Sequence, residues 1–252
     1  MILKKNNKEA LLSSHLSELR NRFLYFFLFF ILSFLFSYLF VEDIFNFISE
    51  PFVNSIDFKE NKRLIYTGLA EAFLSYLKLA LISGFIISSP FFIYHIWAFI
   101  APGLLKKEKK IIFPFLFLIP IMFILGFLFV YYFIIPLAWD FFIGFDTSGS
   151  NNNLSIELEP KINEYISITL KIAIAFGLAF QLPIAIFLLT LLGLTSPTDL
   201  QKKRRFVIVI IFLVAALITP PDIISQVGLA VPIIFLYEFS IFASKFFEKK
   251  KK

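Results

Sequence analysis

Long runs of uncharged, mostly apolar residues alternate with short charged segments along the chain. A helix that crosses a membrane needs about 20 such residues. Runs of about that length or longer predict four spans, at approximately 23–41, 72–97, 111–136 and 165–192. Two shorter apolar runs, 206–218 and 227–243, follow near the C-terminus. They predict two short helices that thin the bilayer locally or form a re-entrant hairpin, and both arrangements return the chain to the side that it left.

The six segments predict an all-α membrane protein with a single polytopic membrane domain over residues 1–252. Composition agrees, because 59% of the residues are hydrophobic and 17% are charged. A soluble domain averages about 45–50% apolar residues and about 25% charged residues. A chain of this size could not hide so much apolar surface from water, so lipid is the expected solvent.

Basic residues are distributed unevenly between the two sets of predicted loops. Of the 24 Lys and Arg residues, 18 fall in the N-terminal segment, the 102–110 loop, the 195–205 loop and the C-terminal tail. The opposite loops hold four. Since cytoplasmic loops carry the excess of Lys and Arg, both termini are predicted to be cytoplasmic.

Several function classes lose support from the residues that the chain lacks. There is no Cys and there are two His residues, which excludes thiolate chemistry and disfavours a His-based metal site. No P-loop, dinucleotide fingerprint or nucleophile elbow occurs. We therefore expect that the chain is not an enzyme and that it needs no cofactor.

Two acidic residues lie in basic surroundings on the predicted cytoplasmic side. Glu18 precedes the first span, where it could pair with Arg22 on a surface helix or receive a cationic ligand. Glu108 lies among four lysines of the 102–110 loop. It is either part of a solvated loop or an ionised carboxylate that can pair with an incoming guanidinium.

Four polar residues within the apolar segments also need an explanation. Gln181 precedes Pro183, which favours a kink, and its amide could bond within the helix bundle or contact a partner helix. Lys78 and Lys171 are interpreted as cations that reach the outer interface. Glu238 is interpreted as lying on the cytoplasmic side of a short last helix.

These intramembrane residues also support a competing hypothesis, a small secondary transporter or ion channel. Transporters often contain two related halves with interrupted helices, and no such repeat is visible in the sequence. A membrane scaffold without a receptor role is the third alternative. It predicts that the cytoplasmic acids can be replaced freely.

Taken together, four motifs resemble the TatC family of twin-arginine protein translocase subunits over nearly the whole chain. They are HLSELR at 15–20, WAFIAPGL at 97–104 followed by Glu108, FGLAFQLP at 176–183, and TPPD at 219–222 followed by Ser225, Gln226, Pro232, Tyr237 and Glu238. The resemblance implies six helices in a concave bundle with short fifth and sixth helices. It also implies a receptor and core subunit that binds twin-arginine signal peptides of folded proteins.

The resemblance further implies single-span partners of the TatA and TatB type, an oligomeric complex, transport driven by the proton-motive force and a bacterial inner membrane, with an organelle membrane as the alternative. Carried over by position, the residues fall into three groups. Signal-peptide binding is expected at Glu18, Glu108, Phe99 and Arg20; partner-helix contact at Gln181, Leu217 and Ile218; and an outer-loop role at Pro51 and Asp222. Many members have Glu where this chain has Gln181, whose amide can hydrogen-bond a partner helix but cannot ionise.

Overall fold

The computed structural model describes residues 2–55, 63–103, 109–110, 112–147, 157–218 and 223–251. Over these residues the regular structure is helical, apart from one isolated bridge between Ile65 and Lys161. The prediction of an all-α protein is therefore confirmed. Glu108 and Asp222, two of the predicted site residues, lie outside the described residues.

Ten α-helices follow one another along the described chain. The first five are α1 (Ile2–Leu39), α2 (Val41–Ser55), α3 (Glu71–Ile100), α4 (Phe115–Phe129) and α5 (Ile135–Ile143). The second five are α6 (Ile162–Ala179), α7 (Leu182–Leu191), α8 (Pro197–Lys202), α9 (Arg204–Ile218) and α10 (Ile223–Lys251). A 3-10 turn, Ala101–Gly103, ends α3, and a π-helical turn, Val130–Ile134, joins α4 to α5.

Five helical segments of the described chain are long and apolar enough to cross a membrane. They are His15–Leu39, Glu71–Gly103, Phe115–Ile143, Ile162–Leu191 and Gln226–Phe246. The remaining predicted span, 206–218, corresponds to α9, which has 15 residues. At 1.5 Å per residue α9 is about 22 Å long, shorter than the roughly 30 Å core of a bilayer.

The last helix is longer than predicted. The apolar segment Gln226–Phe246 has 21 residues, and α10 continues to Lys251. The sequence predicted a short helix because Glu238 interrupts the apolar run. In the structure the carboxylate of Glu238 accepts a hydrogen bond of 2.6 Å from Arg204, so the acid has a cationic partner and does not end the helix.

Pro183 interrupts the fourth of these segments as the sequence predicts. Helix α6 ends at Ala179, α7 begins at Leu182, and Pro183 occupies the first turn of α7. Proline has no N–H group and its ring clashes with the carbonyl of residue i−4, so an uninterrupted helix is disfavoured here. The break leaves Gln181 as the residue that precedes α7.

Two helix caps, one at the end of α7 and one at the start of α8, stabilise the loop between these helices. Gly193 has φ of +74°, a conformation that glycine adopts without steric cost. The N–H of Gly193 donates to the carbonyl of Thr190, and the N–H of Leu194 donates to the carbonyl of Leu189, each at 3.0 Å. These two bonds form a Schellman motif at the end of α7. Ser196 then caps α8 by accepting a hydrogen bond from the Asp199 N–H at 3.1 Å. The Ser196 hydroxyl also donates to the Asp199 carboxylate and lowers its pKa.

The chain divides into two compact units. The first comprises Met1–Val41 and Leu77–Pro120, and the second comprises Glu42–Tyr76 and Ile121–Lys252. In the first unit, α1 and α3 pack closely, because a Cβ atom added at Gly84 would lie 2.7 Å from the Cα of Phe34. Aromatic pairs fill the rest of that contact, including Phe26 with Phe92 at 4.5 Å and Phe29 with Phe91 at 4.6 Å between ring centroids.

In the second unit, small residues bring α4 and α6 together. A Cβ atom added at Gly126 would lie 2.8 Å from the carbonyl oxygen of Phe176. One added at Gly177 would lie 2.5 Å from the ring of Phe123. Helix association in a bilayer relies on such close packing, because lipid tails give little hydrophobic driving force.

We expect Gly126→Leu to lower the free energy of unfolding by about 2–3 kcal/mol, because the obstructing atoms belong to the backbone of α6 and cannot move aside. Gly103→Leu is the matched control, since a Cβ atom there meets nothing within 4 Å. Thermal unfolding of the purified variants in detergent measures the difference. Equal stability of the two variants would contradict the close contact of α4 with α6.

Candidate functional site

A polar cleft of about 480 Å³ lies in the first unit. Its lining comes from one face of α1 and from a residue of α3, and comprises Ser17, Glu18, Asn21, Arg22, Tyr25 and His95. Residues spaced by three, four and seven positions share one face of a helix, which explains why Glu18, Arg22 and Tyr25 converge. The cleft therefore combines a carboxylate, a guanidinium and an imidazole beside the ring of Tyr25.

Glu18 already binds a guanidinium inside its own helix. Arg22 donates two hydrogen bonds to Oε1 of Glu18, from Nε at 3.0 Å and from a terminal nitrogen at 2.5 Å. The other oxygen, Oε2, lies 3.8 Å from Nδ1 of His15, which is too long for a hydrogen bond. The i,i+4 pair considered for Glu18 is thus present, and it engages one of the two carboxylate oxygens.

Phe99 lies in the same region, where its ring stacks on that of His15. The two rings stack with centroids 4.2 Å apart and an angle of 18° between their planes. His15 lies one helical turn before Glu18, so the predicted site residues Glu18 and Phe99 come close to each other. Arg20 is exposed and does not line the cleft. The ammonium of Lys109 lies 5.4 Å from the centre of the Trp97 ring.

His95 is a cleft residue that sequence reasoning missed. The sequence suggests only a metal-ligand role for His95, and a disfavoured one, whereas in the structure its ring lies 4.3 Å from Phe91 and 6.2 Å from Tyr25 between centroids. The available signal was weak: His95 falls near the end of a predicted span, where a polar side chain needs a partner. The sequence does not show that this partner would come from α1.

The side-chain amide of Gln181 hydrogen-bonds the last turn of α6. Its Nε2 donates to the carbonyl oxygen of Gly177 at 3.3 Å, and the side chain is half-buried. Its neighbours Leu178 and Leu182 line an apolar groove of about 530 Å³, to which Ile218 also contributes. Leu217 does not line this groove and has 78% of its surface exposed. The structure therefore brings Ile218 close to the neighbours of Gln181 and leaves Leu217 facing outward.

Pro51 is buried within α2, which is anchored to the second unit by tyrosine hydroxyl groups. Tyr131 donates to the Phe47 carbonyl at 3.0 Å and to the Glu50 carboxylate at 2.8 Å, and Tyr165 donates to the Ile48 carbonyl at 2.7 Å. These bonds fix the turn that carries Pro51.

Tyr165 also belongs to an aromatic cluster. The ring of Tyr165 lies 5.4 Å from that of Phe52 and 5.0 Å from that of Trp139, and Phe52 and Trp139 are 5.2 Å apart. Sequence reasoning missed it because the chain has 37 Phe residues and aromatic content carried no positional information.

The Arg204–Glu238 ion pair joins the start of α9 to α10. In the sequence, Arg204 counts only as one of the basic residues that determine the orientation of the chain in the membrane, and Glu238 is interpreted separately. Their separation of 34 positions gives no local signal for the pair. The two side chains are each partly exposed, so the contribution of this pair to stability is modest.

Comparison with known proteins identifies the family. The family model described as Sec-independent protein translocase protein (TatC) matches residues 14–232. A Sec-independent protein translocase protein TatC of Magnetococcus marinus is 40% identical over 244 residues, covering 97% of this chain and 87% of that protein. The protein of the same name from Rickettsia prowazekii is 43% identical over 234 residues, covering 93% and 92%.

A solved structure gives the same result at the level of the fold. A crystal structure described as the twin-arginine translocase receptor TatC superposes with a TM-score of 0.76 and 35% sequence identity, and the match covers 92% of this chain and 98% of that one. The apolar helices described above make the chain a multi-pass membrane protein. With a family model and relatives that match nearly its whole length, this chain belongs to the TatC family of protein translocase components.

Proposed function

We propose that the chain is the receptor and core subunit of a twin-arginine translocase. It binds twin-arginine signal peptides of folded proteins at its cytoplasmic face. With TatA-type and TatB-type single-span subunits, it moves these proteins across a bacterial inner membrane using the proton-motive force. The observation that carries the proposal is the carboxylate of Glu18, which binds a guanidinium through one oxygen and presents the other toward His15.

The geometry around Glu18 suits an arginine of the signal peptide. A planar guanidinium can approach Oε2 while Arg22 holds Oε1, and a charge-assisted hydrogen bond of this kind contributes about 1.5–3 kcal/mol. The stacked rings of His15 and Phe99 supply a flat surface beside it, on which a guanidinium can also stack. The ammonium group of lysine is not planar, so it can neither form two parallel hydrogen bonds to a carboxylate nor stack on a ring. The site therefore favours arginine over lysine.

The second arginine is assigned to Glu108. Two adjacent arginines need two acidic partners on the side from which the peptide arrives, and Glu108 lies in a loop with the same basic bias as the N-terminus. Arg20 is assigned to the rim of the site, where its side chain is exposed.

The proposed topology has six membrane-associated helices in one concave polytopic domain with both termini cytoplasmic. Helix α9 completes the set of six and is the fifth in chain order. It is shorter than the hydrocarbon core and therefore depends on local thinning of the bilayer. The partner helices contact Gln181, Leu217 and Ile218, and the exposure of Leu217 is consistent with that role. Pro51 and Asp222 act at the outer loops, where buried Pro51 is held by the α2 anchor described above.

Complementation tests the proposal. In bacterial cells that lack their own TatC-type subunit, we expect this chain, produced with TatA-type and TatB-type subunits of its own organism, to restore export of a folded reporter that carries an Arg-Arg signal. Export should fail with a Lys-Lys signal and after addition of a protonophore. Equal export of both reporters would contradict the receptor assignment.

A further inference from the structure

The apolar groove of the second unit has one charged end. Helices α6 to α10 all contribute to its lining, which includes Ala179, Ile186, Val207, Ile211 and Ile233. The polar residues in the lining are Lys203 and Tyr237. The hydroxyl of Tyr237 donates to the carbonyl of Leu200 at 2.8 Å, so its hydrogen-bonding need is met within the protein. Lys203 is exposed and stands where the groove meets the basic run 202–205.

We propose that this groove binds one acyl chain of an anionic phospholipid, with the phosphate of its headgroup at Lys203. The charge pattern fits such a ligand, because a phospholipid has a negative headgroup at one end and hydrocarbon along the rest. Basic pockets between membrane helices on the cytoplasmic side are suited to acidic headgroups. The inference does not depend on signal-peptide binding.

The dimensions favour an acyl chain over a helix. Half of a hydrocarbon core is about 15 Å thick, and α9 rises by about 15 Å from Arg204 to Val214. A lipid chain anchored at Lys203 would thus occupy the groove as far as Val214 and leave Ile218 free for a partner helix. A helix about 10 Å wide and as long as α9 fills about 1,700 Å³. The groove has about 530 Å³, so a helix could only lie across its mouth.

The neighbouring lysine provides a stringent control. Lys202 and Lys203 are both exposed, and both interact electrostatically with Asp199. Only Lys203 lines the groove. A general attraction of acidic lipids to the basic run would depend on both residues, whereas the proposed site depends on Lys203.

Native mass spectrometry of the purified full-length chain tests the site. Phosphatidylglycerol and phosphatidylcholine with identical acyl chains are added separately. We expect one phosphatidylglycerol to be retained, with about fivefold preference over phosphatidylcholine, the size of effect that one lysine near a membrane surface provides. Lys203→Gln should remove the preference, and Lys202→Gln should keep it.

A second pair of variants tests the hydrocarbon part. Ala179→Phe fills the groove and should reduce retention of both lipids, while Ala216→Phe, on the exposed side of α9, should not. Equal retention of the two lipids by the unmodified chain would overturn the proposal. So would a preference that survives Lys203→Gln. Displacement of the lipid by a synthetic single-span peptide, with no effect of Lys203→Gln, would assign the groove to a partner helix instead.

Discussion

Reversing the charge at Glu18 with Glu18→Lys is expected to reduce export of a folded twin-arginine substrate about 30-fold or more. The substitution removes the acceptor for the incoming guanidinium and places a cation beside Arg22. Losing one partner of a close charge pair costs about 2–5 kcal/mol, and each 1.4 kcal/mol is a factor of ten in affinity. Glu18→Gln keeps an oxygen acceptor without the charge, so its defect should be smaller, about tenfold.

The measurement is the rate at which a folded reporter reaches the outer side of the membrane, with the amount of the variant in the membrane determined in parallel. Asp199→Lys is the control, because Asp199 is another ionised acid on the predicted cytoplasmic side and does not line the polar cleft. It should export normally. Normal export by Glu18→Lys at wild-type abundance would remove Glu18 from the signal-peptide site.

The largest loss of stability is expected from Tyr165→Ala, at about 3–5 kcal/mol. The side chain of Tyr165 is 1% exposed, so its removal leaves a cavity beside Phe52 and Trp139. It also removes the hydroxyl that donates a hydrogen bond to the carbonyl of Ile48. The contacts that hold α2 and its residue Pro51 in place should therefore be the first to be lost.

Two further variants separate the packing from the hydrogen bond. Tyr165→Phe keeps the ring and should lose about 1 kcal/mol or slightly more. Tyr132→Ala is the control, since Tyr132 is 64% exposed in the same unit. Thermal unfolding in detergent, followed by intrinsic fluorescence, ranks the three. Comparable losses for Tyr165→Ala and Tyr132→Ala would contradict the buried position of Tyr165.

The sequence predicted those parts of the fold that depend on local pattern. Long apolar runs indicated helices that could cross a membrane, and Pro183 indicated where the fourth run would break. The end of the last helix was missed for a physical reason. A charge ends an apolar run in the sequence, but Glu238 is neutralised by Arg204 from a distant segment, and no local pattern reveals that partner.

The same distinction applies to the candidate site. The Glu18–Arg22 pair was foreseen because it lies within one helix at i,i+4. The contacts of His15 with Phe99 and of Tyr25 with His95 join α1 to α3, and they depend on how the two helices pack. In a chain with 37 Phe residues, aromatic partners could not be selected from the sequence.

Site-specific photocrosslinking of a signal peptide to this chain in membrane vesicles tests the central claim most directly. A photoreactive group is placed next to the arginine pair, and Arg-Arg and Lys-Lys peptides are compared. The account predicts crosslinks to the segments around Glu18 and Phe99 with the Arg-Arg peptide and their loss with Lys-Lys. Equal crosslinking of both peptides, or crosslinks confined to other segments, would contradict it.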